Sequence, residues 1–211
     1  MDVQEITIVT TDGGMLRFTA PHLSERERVA YWRDRVGRQV IRHDIAPLPA
    51  GAEFAGDLTL RAMPGLRICQ GITSGVRTWR TREFLSDGND DIYLWINQSG
   101  AACLAQQGRE VVLGERQALL GSLAEIGGFM RSAPGEHLSL NIPRAAIEPL
   151  VPGVERFMMS AIPQHSLGLR LLTGYLRTLQ AEDRSPADPA VQRMIVGHIY
   201  DDVIAFVNGP F

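Results

Sequence analysis

The chain has 211 residues, of which 45% are hydrophobic and 21% are charged, and its formal net charge is -3. These values are typical of a globular protein with one large or two small domains. The weak acidic charge provides no basic surface for nucleic acid, so we do not expect this chain to bind DNA by itself.

The first twenty residues contain two short β-type runs, Ile6 to Thr10 and Met15 to Thr19, on either side of the turn Asp12-Gly13-Gly14. This arrangement predicts an N-terminal arm over residues 1–22 that is either a hairpin or partly disordered. The acidic N-terminus does not resemble a signal peptide, and no apolar run approaches the roughly 20 residues of a membrane helix. We therefore expect a cytoplasmic protein with no membrane partner.

A surface helix follows the arm, because Ser24 and Glu27 form a capping box. Its apolar positions recur at intervals of three and four and form one stripe: Val29, Trp32, Val36 and Val40. The arginines between them are expected to form a solvated face.

Short β-type runs separated by glycine-containing turns fill the middle of the chain, and Pro64-Gly65 marks one hairpin corner. We count about nine strands and no βαβ alternation, which predicts an antiparallel sandwich or barrel. In the run 92–97, alternation places Tyr93 and Trp95 on one face and Leu94 on the other. Both faces are apolar, so the sequence leaves open which of them is the inner face of the barrel.

The C-terminal part predicts two helices, the second capped by Asp188 and begun by Pro189. The second helix carries an i,i+4 row of apolar residues that is wider than packing on one barrel requires. We therefore expect a homodimer about a two-fold axis. The predicted interface consists of Val191, Met194, Ile195, Ile199, Val203 and Phe206. The open alternative is that one chain buries this face within its own hairpin and barrel.

The expected fold is mainly β with flanking helices, in the α+β class. It comprises the arm at 1–22, a helix and β-barrel at 23–160 and a helical hairpin at 161–211.

The sequence contains no recognisable catalytic motif and no His, Cys or carboxylate pattern with metal-ligand spacing. We accordingly predict no catalytic residue, no metal and no cofactor. Aromatic residues on neighbouring β segments predict an apolar pocket for a small molecule, with filling of the core as the alternative. The predicted lining is Trp79, Tyr93, Trp95 and Phe129, and the candidate polar anchors are Arg77, Arg80 and His137.

Several short runs together resemble the N-terminal regulatory domain of AraC/XylS-type transcription regulators. They are Arg80-Thr81, Asp90 to Leu94, Ser99-Gly100, Gln106 to Arg109 and Leu140 to Arg144, and the helix bearing Trp32 matches one subgroup. The resemblance covers roughly Ser24 to Val207. It implies a cupin-like, double-stranded β-helix barrel that senses a small effector, followed by helices that mediate dimerisation.

The chain departs from that family pattern at two places. Gly114-Glu115-Arg116 stands where relatives usually have a Pro-Gly-Asp turn. The helix-turn-helix that binds DNA in the family would begin beyond Gly209, so we expect DNA as a partner only through a domain that this chain lacks. The ending at Asn208-Gly209-Pro210 favours an excised sensor domain over a natural stand-alone one.

Three functions compete at this point. The first is an effector-sensing and dimerisation domain of an AraC-type regulator, which is not an enzyme. The second is a cupin-type enzyme, an isomerase or a dioxygenase, with or without a metal. The third is an interaction module whose barrel is filled by its own side chains.

Overall fold

A computed structural model describes residues 8–11, 15–182 and 186–208 of the chain. Within these residues the chain forms twelve strands: β1 (Ile8–Thr11), β2 (Met15–Thr19), β3 (Asp44–Pro47), β4 (Gly56–Met63), β5 (Leu66–Thr73), β6 (Val76–Arg80), β7 (Ile92–Ser99), β8 (Ala102–Gln106), β9 (Arg109–Leu113), β10 (Ala118–Ser122), β11 (Gly127–Arg131) and β12 (Gly135–Ile142). The helices are α1 (Glu25–Tyr31), which continues into a π-helical segment (Trp32–Ile41), α2 (Arg144–Ile147), α3 (Leu167–Gln180) and α4 (Pro189–Asn208). Two short 3₁₀ turns cover Phe84–Asp87 and Val154–Phe157.

The strands form two sheets that face each other. The larger sheet has the order β1-β2-β4-β5-β12-β7-β10, and the smaller has the order β3-β6-β11-β8-β9. All strand pairs in the two sheets are antiparallel. The prediction of a mainly β fold of antiparallel strands with flanking helices is therefore confirmed.

The N-terminal arm forms a hairpin on the edge of the larger sheet. Strand β1 pairs with β2, and β2 continues the sheet by pairing with β4. Arg17 on β2 forms an ion pair of 2.6 Å with Asp57 on β4. The hairpin alternative is thus confirmed for the described residues, whereas the predicted turn at residues 12–14 lies outside them.

The predicted capping box is present at the start of α1. The backbone N–H of Ser24 donates to Oε2 of Glu27 at 3.0 Å, and the side-chain oxygen of Ser24 accepts a hydrogen bond from the backbone N–H of Glu27. The apolar stripe is buried in the chain, since Trp32 is 2% exposed and Val36 is fully buried. The π-helical segment ends at Arg42, whose φ of 59° lies in the left-handed region.

Helices α3 and α4 cover the outer face of the larger sheet. The carboxylate of Asp188 accepts a hydrogen bond of 2.7 Å from the backbone N–H of Ala190, as the sequence predicts for a cap before Pro189. Between these helices and the sheet lies a cluster of aliphatic side chains, which we call the helix-side core. Its central members include Leu94, Leu140, Leu172 and Ile199.

The structure corrects the predicted dimer interface. Ile195, Ile199 and Val203 are at most 3% exposed and belong to the helix-side core, so their surface is already covered by the same chain. Val191 and Met194 are exposed, at 36% and 52%. The side chain of Phe206 lies outside the described part. The i,i+4 pattern correctly indicates a buried face, but the chain's own sheet and α3 bury most of it.

Candidate functional site

The two faces of β7 have different partners. Ile92, Leu94 and Ile96 point to the helix-side core, whereas Tyr93 and Trp95 point into the space between the two sheets. We call the second cluster of buried side chains, which fills much of that space, the inter-sheet core. The question that the sequence left open is thereby answered: the aromatic face of β7 is the inner face.

A cavity of about 320 Å³ lies between the two sheets. Its wall is mostly apolar, and its aliphatic and aromatic members include Trp32, Ile45, Phe54, Leu58, Val76, Leu104 and Phe129. Toward one end the wall contains the half-exposed residues Asn89, Leu123 and Glu125, and this end is the mouth of the cavity. A concave, largely apolar space with a few polar groups is the usual form of a small-molecule site.

Aromatic rings form the inner end of the cavity. The ring of His137 is stacked on Trp95, with centroids 4.1 Å apart and an angle of 7° between the planes. Phe129 contacts both rings, at 4.2 Å from Trp95 and 5.1 Å from His137. The three residues come from adjacent strands of both sheets, so the cluster depends on the two sheets being packed together.

Glycines make room for the rings in this wall. A Cβ atom on Gly71 would lie 2.3 Å from Cε1 of His137, and one on Gly121 would lie 2.2 Å from the phenol of Tyr93. Each glycine is the direct antiparallel partner of the ring it accommodates. Strand glycines often mark such close approaches. The rings can therefore lie flat across the neighbouring strands because those positions carry no side chain.

Several polar atoms in this wall are buried without a hydrogen-bond partner. They are Oγ1 of Thr73, Nε1 of Trp95, Nδ1 of His137 and Nε1 of Trp32. Most buried polar groups in proteins are hydrogen-bonded, because leaving one unpaired costs about 1–3 kcal/mol. Four such atoms therefore belong to side chains that line one cavity.

Arg80 is a structural cation at the mouth. Its guanidinium donates to the carbonyl of Leu123 at 2.7 Å, to the carbonyl of Arg42 at 3.3 Å and to Asp87 at 2.6 Å. The side chain is 2% exposed, and the carboxylate of Asp87 balances its charge. Arg80 therefore lines the cavity, but most of its hydrogen-bonding capacity is used within the protein.

A second buried arginine, Arg131, lies near the inner end. It donates from Nη2 to Oδ1 of Asn97 at 3.1 Å, while its Nε and Nη1 have no hydrogen-bond partner. Asn97 in turn donates to the carbonyls of Gly100 and Gly114, at 2.8 and 3.1 Å. Loss of water contact lowers the pKa of Arg131. Sequence reasoning missed this residue, because an arginine at the end of a β run has no distinctive neighbours along the chain.

Three buried ionisable side chains of the wall, His137, Cys69 and Tyr93, are neutral at physiological pH. Burial lowers the pKa of His137 to about 3, and the nearby charge of Arg131 acts in the same direction. Burial also raises the pKa of the Cys69 thiol to about 12 and raises the pKa of Tyr93. None of these three side chains is poised for proton transfer near pH 7.

The structure brings five of the seven predicted site residues to the cavity: Tyr93, Trp95, Phe129, Arg80 and His137. Trp79 and Arg77, the other two predicted residues, do not line this cavity. Alternation along β6 turns Thr78 and Arg80 inward, so Trp79 and Arg77 lie on the outer face. There the guanidinium of Arg77 lies over the Trp79 ring, 4.7 Å from its centroid.

Two further observations concern the described residues only. No helix among them is long and apolar enough to cross a membrane. No three of their His, Cys, Asp or Glu side chains are grouped so that they could hold a metal ion.

The family model for the AraC-binding-like domain matches residues 32–206 of the chain. A solved structure, that of the AraC-like transcriptional activator CuxR, is similar with a TM-score of 0.76 and 21% identity over 92% of this chain and 70% of CuxR. A putative ethanolamine utilization protein Q from Salmonella typhimurium LT2 has a TM-score of 0.36 and 9% identity, over 42% of this chain and 70% of that protein. No curated protein sequence matches the chain.

Because the match to the family model spans most of the chain, the protein belongs to the AraC-binding-like domain family. The similarity to CuxR shows that the two share a fold.

Proposed function

We propose that this AraC-binding-like chain is the effector-sensing domain of an AraC-type transcription regulator and that it is not an enzyme. In this proposal a small molecule binds between the two sheets, and its binding controls a helix-turn-helix domain that contacts DNA. The observation that carries the proposal is the cavity of about 320 Å³, whose wall contains buried polar atoms without partners.

The chemistry of the wall supports sensing. A histidine whose pKa is about 3 is a poor general base near pH 7, and a thiol whose pKa is about 12 is a poor nucleophile. The aromatic side chains are instead suited to enclosing a ligand, since each buries a large area at a low cost in side-chain entropy. The site therefore favours a molecule that is held and released unchanged.

Binding is tested by comparing two tryptophans. Compounds from a metabolite collection that raise the melting temperature of the wild-type domain are titrated against Trp95→Ala and Trp79→Ala. We expect Trp95→Ala to weaken binding by more than tenfold, or at least ~1.4 kcal/mol, because the ring forms the inner wall. Trp79→Ala removes the same side chain outside the cavity and should bind normally. Equal affinities in both folded variants would place the effector site elsewhere.

We further propose that two copies of the chain associate through the helical layer. Apolar side chains on α3 and α4 remain exposed to solvent, namely Leu167 at 66%, Leu171 at 57% and Met194 at 52%. Exposed apolar side chains grouped on one structural layer are more typical of an interface than of an isolated surface. The occupant that we propose is a second copy of the same chain, because symmetric pairs are the commonest oligomers.

Light scattering tests the association. The wild-type domain should be a dimer at micromolar concentration, and Leu171→Asp should shift it to a monomer without unfolding it. Val112→Asp on β9 is the matched control, since Val112 is also exposed, at 69%, but lies on the barrel. A monomeric wild-type domain, or equal effects of both substitutions, would contradict the proposed helical interface.

A further inference from the structure

Four buried polar side chains surround the inner end of the cavity, and we call them the inner polar cluster. They are Thr73, Trp95, Arg131 and His137, with exposures of 7%, 7%, 2% and 5%. Together they contain five side-chain atoms without a hydrogen-bond partner, namely Oγ1 of Thr73, Nε1 of Trp95, Nε and Nη1 of Arg131, and Nδ1 of His137.

Strand pairing and ring stacking bring the four residues together. Thr73 is the antiparallel partner of Gly135, and Nη1 of Arg131 would lie 2.1 Å from a Cβ on that glycine. His137 is two residues further along the same strand and is stacked on Trp95. The guanidinium of Arg131 also lies over the Phe129 ring, 5.6 Å from its centroid. Three of the four, Thr73, Trp95 and His137, line the cavity directly.

Arg131 differs from two other arginines near the cavity in its charge balance. Arg80 is paired with Asp87 and Arg67 with Asp91, but no described carboxylate forms an ion pair with Arg131. A charge buried without a counter-charge is strongly unfavourable. Among the described residues, the side chain that hydrogen-bonds the guanidinium of Arg131 is the amide of Asn97, which is neutral. Arg131 does not itself line the cavity, but its guanidinium lies 5.6 Å from the centroid of the Phe129 ring, which does. An uncompensated positive charge therefore lies close to this end of the cavity.

The unused atoms of the cluster are mainly donors. Arginine and the tryptophan indole can only donate, and the threonine hydroxyl can donate as well. A carboxylate accepts several such bonds at once and matches the planar fork of a guanidinium. The rest of the wall is different, since residues such as Leu58, Leu104 and Phe129 offer only apolar surface.

We propose that the inner polar cluster binds the carboxylate of a small monocarboxylic acid whose apolar body lies against Leu58, Leu104 and Phe129. This inference rests on the proposed function, because it names the chemical class of the effector that the cavity senses. The carboxylate supplies the counter-charge for Arg131 and accepts hydrogen bonds from the donors of the cluster.

The test compares acids with uncharged analogues of the same shape. Octanoate and hydrocinnamate are titrated into the purified domain alongside octanamide and hydrocinnamide, and tryptophan fluorescence is followed. We expect each acid to bind at least tenfold more tightly than its amide. Arg131→Gln should remove that preference, while Arg131→Lys, which keeps the charge, should retain part of it. Thr73→Val provides a variant of nearly unchanged shape and should weaken only the acids, by about threefold.

Each result of this experiment supports or contradicts the proposal that the ligand is a monocarboxylic acid. Equal binding of acids and amides, absence of binding by both acids at millimolar concentration, or an acid preference that survives Arg131→Gln would overturn the inference. If the amides or other neutral compounds still bind and depend on Trp95, the cavity remains a sensor and only the class is wrong. If no compound of either series or of the metabolite collection binds, the proposed function fails as well.

Discussion

The two buried clusters of this protein lie on opposite faces of the same strands but have different compositions. The helix-side core consists of aliphatic and methionine side chains, and its buried members contain no ionisable group. The inter-sheet core is rich in aromatic rings, encloses a cavity and is bordered by His137 and Arg131. Strands β7 and β12 separate the two, so Trp95 and its chain neighbour Leu94 belong to different clusters.

This difference indicates a division of roles. The helix-side core resembles the close-packed interior that gives a domain most of its stability. The inter-sheet core keeps unfilled volume and unpaired polar atoms, both of which reduce the stability of the ligand-free domain and are typical of functional sites. Substitutions in the helix-side core should therefore change mainly the free energy of unfolding. Substitutions in the inter-sheet core should also change ligand binding.

The largest effect on stability is expected in the helix-side core. Ile199→Ala removes a fully buried side chain, and we expect it to lower the free energy of unfolding by about 2–5 kcal/mol without selectively altering ligand binding. Chemical denaturation provides the measurement. Met194→Ala on the same helix is the control, since that side chain is 52% exposed and should change stability by about 0.5 kcal/mol or less. Similar small effects for both would mean that α4 is not docked as described.

A smaller effect on stability, but a direct one on the cavity, is expected from Gly71→Ala. The new Cβ would lie 2.3 Å from the ring of His137, so the ring must move and the inner wall must change shape. We expect a loss of about 1–3 kcal/mol, together with weaker ligand binding.

Gly174→Ala is the matched control for this substitution. It lies in α3 with no atom within 4 Å of the new Cβ, and it should stabilise the domain slightly because alanine favours helix. Equal changes in melting temperature for the two variants would contradict the described position of the His137 ring.

The inter-sheet core should also make the domain sensitive to mild acid. The pKa of His137 is lowered to about 3, whereas in the unfolded chain it is about 6.5, so the unfolded state gains the proton first as the pH falls. The stability due to neutral His137 is complete above pH 6.5 and declines below it, by up to about 1.4 kcal/mol per pH unit. Half-buried His43, whose pKa is lowered to about 4, acts in the same direction.

Denaturation curves between roughly pH 6.5 and 5 isolate this effect, because carboxylates protonate mainly below that range. His137→Gln should reduce the slope of stability against pH by about half, with His43 providing the remainder. An unchanged slope in the folded variant would show that His137 does not titrate as described.

The smallest effect on stability is expected from Thr73→Val. The hydroxyl is buried without a partner, so its replacement by a methyl group of similar size should change the free energy of unfolding by less than about 1 kcal/mol. Ser139→Ala is a useful comparison, because the hydroxyl of Ser139 donates to Oδ1 of Asn141 at 3.0 Å and its loss removes a real hydrogen bond. Thr73→Val should be the less destabilising of the two in thermal melts, and the reverse order would show that the Thr73 hydroxyl is satisfied in the folded protein.

Local sequence signals predicted much of the fold. The capping box at Ser24, the corner at Pro64-Gly65 and the cap at Asp188 are each determined by a few neighbouring residues, and the structure contains all three. Alternation along β7 also separated its two faces correctly. These features could be predicted because their physical causes act over short distances along the chain.

The features that sequence reasoning missed depend on contacts between distant residues. The row on α4 showed that a face is buried but could not show that Leu140 and Leu172 bury it instead of a second chain. The inward turn of Thr78 rather than Trp79 depends on how β6 is paired in the sheet. The role of Gly71 is visible only when the ring of His137 is placed across it.

The hydrogen bonds of Arg80 also affect how fast a molecule can enter and leave the cavity. Its guanidinium holds together the end of the π-helical segment at Arg42, the loop at Leu123 and the turn at Asp87. Widening the mouth requires some of these charge-assisted bonds to break, and each contributes about 1.5–3 kcal/mol. A molecule that binds in the cavity should therefore enter and leave slowly for its size. Its residence time would depend on the mouth, while its affinity depends on the inner wall.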